Sequence, residues 1–384
     1  MKYVVLVPDG CADEPLDELD GRTPLAAAAM PNLSALAARG EVGRAFVIPE
    51  GLPPGSDVGN MAILGYDPAR YHTGRAPIEA AAMGVELAPG EIAYRCNLVT
   101  IDDDGTMADF AAGHPTDAQS HPIIAALDAE LGGGRDGVRF HPGVEYRHLC
   151  VVPGDWADAE CVPPHDLTGK PAVWPTGPAS EKLRALMDAS REVVRKAAAE
   201  TGCIATQIWL WGQGRKPELP PFEETYGVSA RLSSAVDLVR GLGVLTGIEV
   251  VDVPGATAGF DNDYGAQARA CLDSLQTRDL FLVHVEATDE AGHQGDVAEK
   301  IRALERWDAE IIGPITDALA EEPYRVLLLP DHATPCAART HTSDPVPYLF
   351  YDSTKDGPGG TYTEAAVADR PLVRADSLMG RLVA

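Results

Sequence analysis

Three short apolar runs constrain this chain most, because each one ends abruptly in residues that ionise or bind metals. Lys2–Val7 (KYVVLV) leads into Pro8-Asp9-Gly10, and Leu280–Val285 (LFLVHV) into Glu286-Ala287-Thr288-Asp289. Tyr324–Leu329 (YRVLLL) leads into Pro330-Asp331-His332. Short β-rich runs of this kind read as strands covered on both faces. Helical patterns separate them, at Met30–Arg39, Ala179–Thr201, Ser234–Leu242, Asp263–Leu275 and Val297–Ala320. Strand–helix alternation predicts an α/β fold, a mostly parallel sheet flanked by helices. In open sheets of this type, sites form at the carboxyl ends of strands. The three clusters are therefore expected to meet on one sheet edge.

The middle of the chain has another texture. Ala93–Ile101 reads as a strand, Asp102-Asp103-Asp104-Gly105 as a hairpin turn, and Thr106–Phe110 as the returning strand. Ser120–Leu131 reads as a helix, and Val138–Val152 as a strand pair. This α+β pattern predicts a smaller domain, about residues 76–172, inserted into a larger one made of 1–75 and 173–384. Pro163–Pro178 is rich in Pro and Gly and is expected to be the return linker. A length of 384 residues fits two domains.

A formal net charge of −27 disfavours nucleic acid and anionic membranes as partners. No apolar run approaches the roughly 20 residues of a membrane span. The N-terminal apolar stretch is too short for a signal peptide, so a cytoplasmic location is expected. Seven scattered cysteines without a CxxC argue against a disulfide framework and a thiolate zinc site. A phosphorylated substrate would need a local basic cluster to offset the acidic surface.

Asp289 and His293 stand four residues apart, which on a helical turn places both on one face. Carboxylate and imidazole together suit a divalent transition metal. Asp331-His332 is a weaker signal alone, and His341, before the expected strand Tyr348–Tyr351, can supply a further imidazole. Each feature has a plainer reading as a cap, turn or surface residue. Their recurrence beside strands favours metal. Pro53-Pro54-Gly55-Ser56-Asp57-Val58-Gly59-Asn60 reads as a Gly- and Pro-containing turn leading into Met61–Leu64, the expected start of a helix, where exposed amide groups favour an anion. Ser56 reads either as a helix cap or as a nucleophile activated by a metal.

These residues resemble the alkaline phosphatase superfamily, and within it the cofactor-independent phosphoglycerate mutases of the archaeal type. The resemblance spans nearly the whole chain. It rests on VPDG at Val7–Gly10, GSDVGN at Gly55–Asn60, GRAPIEA at Gly74–Ala80, YRCNLVT at Tyr94–Thr100, PGVEYRH at Pro142–His148 and WLWGQG at Trp209–Gly214. It continues through EATDEAGH, PDHATP and HTSDPVP. The resemblance implies two divalent ions, Mn²⁺, Zn²⁺ or Mg²⁺, and no 2,3-bisphosphoglycerate. It implies Asp289, His293 and His341 as ligands of one ion, and Asp9, Ser56, Asp331 and His332 as ligands of the other. Ser56 is then the phosphorylated nucleophile, and the inserted domain closes over substrate. Arg75, Arg147, His148, Arg215 and Lys216 fall in segments resembling substrate-facing loops.

The function so implied is interconversion of 3-phosphoglycerate and 2-phosphoglycerate through a phosphoserine. Two alternatives keep the chemistry and change the acceptor: a homoserine kinase-like phosphotransferase, and a phosphatase or phosphonate hydrolase. No P-loop or kinase glycine-rich loop is present. A non-catalytic scaffold would be free to lose the seven metal-site residues, yet all are present. The expected partner is a small phosphorylated substrate, and the expected state a monomer or small homo-oligomer.

Overall fold

A computed structural model describes residues 1–384. The strands in chain order are β1 (Lys2–Pro8), β2 (Glu41–Phe46), β3 (Ile92–Ile101), β4 (Met107–Asp109), β5 (Arg139–Val144), β6 (Arg147–Val152) and β7 (Gln207–Gly214). They continue as β8 (Ala230–Ser233), β9 (Glu249–Val250), β10 (Leu280–Val285), β11 (Tyr324–Leu328), β12 (Val346–Asp352) and β13 (Leu372–Arg374). The chain forms two compact units, one of Met1–His72 with Glu218–Ala384 and one of Thr73–Pro217.

The larger unit holds an eight-stranded sheet in the order β13-β2-β12-β11-β1-β10-β8-β9. Strand β12 runs antiparallel to both neighbours, and every other pairing is parallel. The apolar run that begins the chain lies in the middle, parallel to β10 on one side and β11 on the other. Its burial on both faces explains why Val4, Val5, Leu6 and Val7 show no polar alternation. Helices Tyr264–Leu275 and Val297–Trp307 help cover one face, through Tyr264, Cys271, Leu304 and Trp307. The expected helix Val297–Ala320 is broken by a π-turn at Asp308–Ile312. Asp308 there accepts from Leu33 N–H at 2.7 Å and Asn32 N–H at 3.2 Å, so it caps the neighbouring helix Pro31–Arg39. No helix is long and apolar enough to cross a membrane.

The smaller unit is built on antiparallel pairings of β3 with β6 and β7, with β5 beside β6 and β4 at the end of β3. Its second boundary differs from the expected one. Residues 173–217 belong with the smaller unit rather than the larger, for two reasons. Strand β7 pairs along β3 from Ala93↔Gly214 to Val99↔Gln207. Helix Ser180–Thr201 buries Leu183, Met187 and Val194 in the same core as Ile123, Leu127 and Trp209. The Pro- and Gly-rich stretch 163–178 is thus a connection inside this unit.

A buried ion pair ties the larger unit's loops together below the β1 edge. Lys300 Nζ lies 2.8 Å from Asp13 Oδ2, donates to Thr334 O at 2.8 Å, and is fully buried. Asp13 also accepts from Cys336 N–H at 3.0 Å. Lys300→Met should leave the Asp13 carboxylate buried without a cation and cost about 3–5 kcal/mol of stability. Urea unfolding followed by circular dichroism measures it, and an unchanged midpoint would refute the assignment.

Candidate functional site

The larger sheet brings together what the sequence separates by more than 300 residues. Asp9 follows β1, Glu286 and Asp289 follow β10, and Asp331 with His332 follows β11. Because these strands are adjacent and parallel, their carboxyl ends share one edge. Helix Ser56–Ile63 docks there too. Gly59 makes the docking possible, since a Cβ on it would lie 2.0 Å from Asp331 O. Gly10, at φ +60°, turns the chain where a side chain would strike Asp289 and Thr334.

The expected metal residues fall into two groups. In one, Asp289, His293 and His341 place their ligand atoms within 4.8 Å of one another; in the other, Asp9, Asp331 and His332 do so. Ser56 Oγ lies 3.4 Å from His332 Nε2. Ser56 is the first helical residue, whereas Gly55 holds the capping position and no side chain caps this end. The cap reading of Ser56 therefore fails on geometry.

The hydrogen-bond network fixes which imidazole nitrogens carry lone pairs. His293 Nδ1 faces Arg339 O at 3.1 Å and His341 Nδ1 faces Pro54 O at 3.4 Å. A carbonyl only accepts, so both Nδ1 atoms carry the proton. Their Nε2 atoms then face each other at 2.9 Å, at 3.2 Å and 3.5 Å from the Asp289 carboxylate. The Thr334 hydroxyl donates to Asp289 Oδ1, so it accepts from His332 Nδ1 at 3.1 Å. His332 Nε2 is left as a lone pair, 3.4 Å from Asp9 Oδ1 and 3.7 Å from Asp331 Oδ2. Acceptors thus converge on acceptors in both groups. Such a donor set fits divalent cations, and the Nδ1 partners orient the imidazoles as the outer shell of a metal site does.

The electrostatics register the negative charge gathered there, which protons answer wherever a cation does not. Burial pushes Asp9 well above the usual carboxylate range, and the charges of Asp331, Glu286 and Asp289 push it further. Neither Asp9 oxygen has a hydrogen bond. Burial pulls His293 down, but Asp289 more than compensates and raises it to about 9. Burial lowers His332.

Sequence reasoning missed three supporting residues. Asn60 Nδ2 donates to Asp331 Oδ2 at 2.7 Å and to Ser56 O at 3.0 Å, so one amide positions both. Thr334 orients Asp289 and His332. His284, inside the apolar run of β10, turns Nε2 toward Asp9 Oδ2 at 3.0 Å. The polar ends of GSDVGN and PDHATP were visible signals for the first two; an imidazole within LFLVHV was the signal for the third.

The expected substrate residues all lie on the smaller unit. Arg75 and Arg95 flank Glu79, with Nε atoms 3.4 Å and 3.1 Å from its carboxylate, and both guanidinium groups sit by the Trp211 ring, at 6.0 Å and 4.7 Å. Burial, opposed by Glu79 and reinforced by Arg75 and Arg147, lowers Arg95 to about 10. Arg95 was not anticipated. Arg147 lies 5.5 Å from the Tyr146 ring. Arg215 and Lys216 directly follow β7, and Arg215 O accepts from the Thr73 hydroxyl. His148 is buried, its Nδ1 accepts from Gly143 N–H at 3.0 Å, and burial takes it down to about 3. Only its Nε2 is left for a ligand.

A parallel α/β sheet that sets a serine hydroxyl among converging carboxylates and imidazoles has the build of a metal-dependent phosphotransferase. Comparison with known proteins narrows this class. The family described as 2,3-bisphosphoglycerate-independent phosphoglycerate mutase matches residues 37–199. A protein of that name from Methanosarcina acetivorans is 46% identical over 100% of both chains. A probable one from Geobacter sulfurreducens is 43% identical over 98% of this chain and 97% of its own. Among solved structures, the cofactor-independent phosphoglycerate mutase of Thermoplasma acidophilum is 26% identical with a TM-score of 0.66, covering 100% of this chain and 99% of that one. A Pyrococcus horikoshii protein is 27% identical with a TM-score of 0.78, covering 100% and 97%. The chain belongs to the 2,3-bisphosphoglycerate-independent phosphoglycerate mutase family.

Asn60→Ala should weaken Mn²⁺ affinity about 10–100-fold, the usual effect of losing an outer-shell partner. Calorimetric titration of metal-stripped protein measures it. Stripping with EDTA should itself lower the melting temperature, and Mn²⁺ at 100 times its Kd should restore about 2.7 kcal/mol per ion.

Proposed function

We propose that this chain interconverts 3-phosphoglycerate and 2-phosphoglycerate through a phosphoserine at Ser56. The observation that carries the reading is the position of Ser56 Oγ, 3.4 Å from His332 Nε2 and at the opening of a helix. Asp289, His293 and His341 would hold one divalent ion, and Asp9, Ser56, Asp331 and His332 the second. Bound there, such ions lower the pKa of the serine hydroxyl and neutralise charge on the attacking and leaving oxygens.

Ser56 Oγ attacks phosphorus, the new O–P bond forms, and the bond to the glycerate oxygen breaks. That oxygen takes up a proton, balancing the one lost from the Ser56 hydroxyl, and leaves as a hydroxyl. The other glycerate hydroxyl then attacks the phosphoserine and releases Ser56 Oγ. Asn60 holds the backbone of Ser56 and the carboxylate of Asp331 in register throughout. The exposed amides at the start of helix Ser56–Ile63 favour the anionic phosphoryl group. Arg75, Arg147, Arg215 and Lys216, with Nε2 of His148, offer donors for phosphate and carboxylate on the smaller unit. A small phosphorylated substrate is the only partner this chemistry requires.

Ser56→Ala should reduce mutase turnover by on the order of 10⁴-fold or more, as loss of a covalent nucleophile does. Its melting temperature should stay near wild type, because Ser56 caps nothing, and its Mn²⁺ affinity should be largely kept, because Asp9, Asp331 and His332 would still hold the ion. Asp9→Asn should instead weaken metal binding, with activity partly recovered by added Mn²⁺. A coupled enolase assay from 3-phosphoglycerate reads both variants. Near wild-type turnover in Ser56→Ala would refute the phosphoserine route, and phosphate release in place of 2-phosphoglycerate would make the enzyme a phosphatase.

A further inference from the structure

We propose that His72 is a positioning residue for the nucleophile: its hydrogen bond holds the carboxylate of Asp57, next in the chain after Ser56, so that this negative charge does not repel the phosphoryl group Ser56 receives. The role rests on the phosphoserine reading of Ser56, and it concerns residues of the larger unit alone.

The helix that presents Ser56 carries a conflict in its first turn. Its opening amides favour an anion, yet Asp57 already stands there as the second helical residue. The carboxylate folds back over the helix opening, since a Cβ on Gly55 would lie 2.8 Å from Asp57 Oδ1. A phosphoryl group on Ser56 and the Asp57 carboxylate therefore contend for the positive end of one helix. Asp57 is buried, and like charges repel more strongly where water is excluded.

His72 meets that charge. Its Nε2 lies 2.7 Å from Asp57 Oδ2, and the two side chains are 11% and 10% exposed. A carboxylate only accepts, so Nε2 carries the proton of this bond. With a charged acceptor at that length, the bond belongs to the stronger class. It fixes the carboxylate rotamer and draws its charge toward the imidazole.

The place of His72 is itself built. It follows the one-turn helix Pro68–Tyr71, capped by Asp67 Oδ1, which accepts from Ala69 N–H at 3.0 Å. The His72 N–H donates back to Pro68 O at 2.9 Å. Asp67 Oδ2 lies 2.9 Å from Arg374 Nη2. Tyr71 packs edge-on against Tyr66, with ring centroids 6.0 Å apart, and the Tyr66 hydroxyl donates to Pro220 O at 2.8 Å. These ties fix where the imidazole stands, and Asp57 is the carboxylate it meets.

The test uses the full chain with MnCl₂ present. His72→Leu removes the donor and keeps bulk. Its KM for 3-phosphoglycerate in the coupled enolase assay should rise about 10–100-fold, the loss expected for one hydrogen bond to a charged group. Its kcat should change little, because bound substrate and transition state carry the same net charge. The Kd of inorganic phosphate, from calorimetric titration, should rise with KM. His72→Gln, which returns an N–H donor, should recover most of both. Adding Asp57→Asn to His72→Leu should recover them too, because the repelling charge is gone. A residue that merely supported the fold would leave that double variant no better than the single one. His72→Ala carries the test if the Leu variant does not fold. Unchanged KM and phosphate Kd in His72→Leu, or no recovery in the double variant, would overturn the role of His72 and leave the mutase reading standing. Wild type that binds phosphate without interconverting the phosphoglycerates, with the same Kd shifts among the variants, would support the role of His72 and remove the mutase reading instead.

Discussion

Charge repulsion at the carboxyl edge of one sheet is the constraint on which the rest of this molecule turns. Asp9, Glu286, Asp289 and Asp331 stand where three adjacent strands end, three of them almost wholly buried. The interior dielectric makes such a gathering costly unless positive charge answers it. No arginine or lysine pairs with them here: Lys300, which is fully buried, is occupied by Asp13 and two carbonyl groups. Imidazoles line the edge instead, with tautomers set by carbonyls and by Thr334 so that lone pairs, not charge, point inward. A divalent cation would answer that charge in place of the protons that Asp9 and His293 otherwise hold.

Backbone closeness follows from the same requirement. For Ser56 to reach His332, the helix that carries it must press on the strand end at Asp331, and only glycine at position 59 leaves room. Asn60, one residue on, then reaches the carboxylate that Gly59 brought near. The segment Gly55–Asn60 is thus one device with three parts: a nucleophile, a gap and a clamp.

Much of this was legible in the sequence, for a physical reason. A strand covered on both faces must be a pure apolar run, and a functional edge must break that run with polar residues, so both signals are local. The i, i+4 spacing of Asp289 and His293 is local too, and both lie on helix Ala287–Gln294. What escaped depends on distant contacts. The smaller unit's boundary was missed because β7 is recognisable as part of it only through its pairing with β3. The π-turn was missed because Asp308 serves a helix more than 270 residues earlier. His284 reads as core within an apolar run, and only the register of β10 against β1 sets it beside Asp9. Ser56 could be read as a cap until the backbone gave that position to Gly55.

The central place of β1 has a consequence for how the molecule comes into being. Its partners β10 and β11 begin at Leu280 and Tyr324. On the ribosome, β1 therefore emerges long before either neighbour exists. For that interval a fully apolar segment has no sheet to join, and smaller-unit residues 73–217 can collapse first by themselves. Folding during synthesis is then a two-stage event, in which β1 stays unpaired until its two neighbours are made.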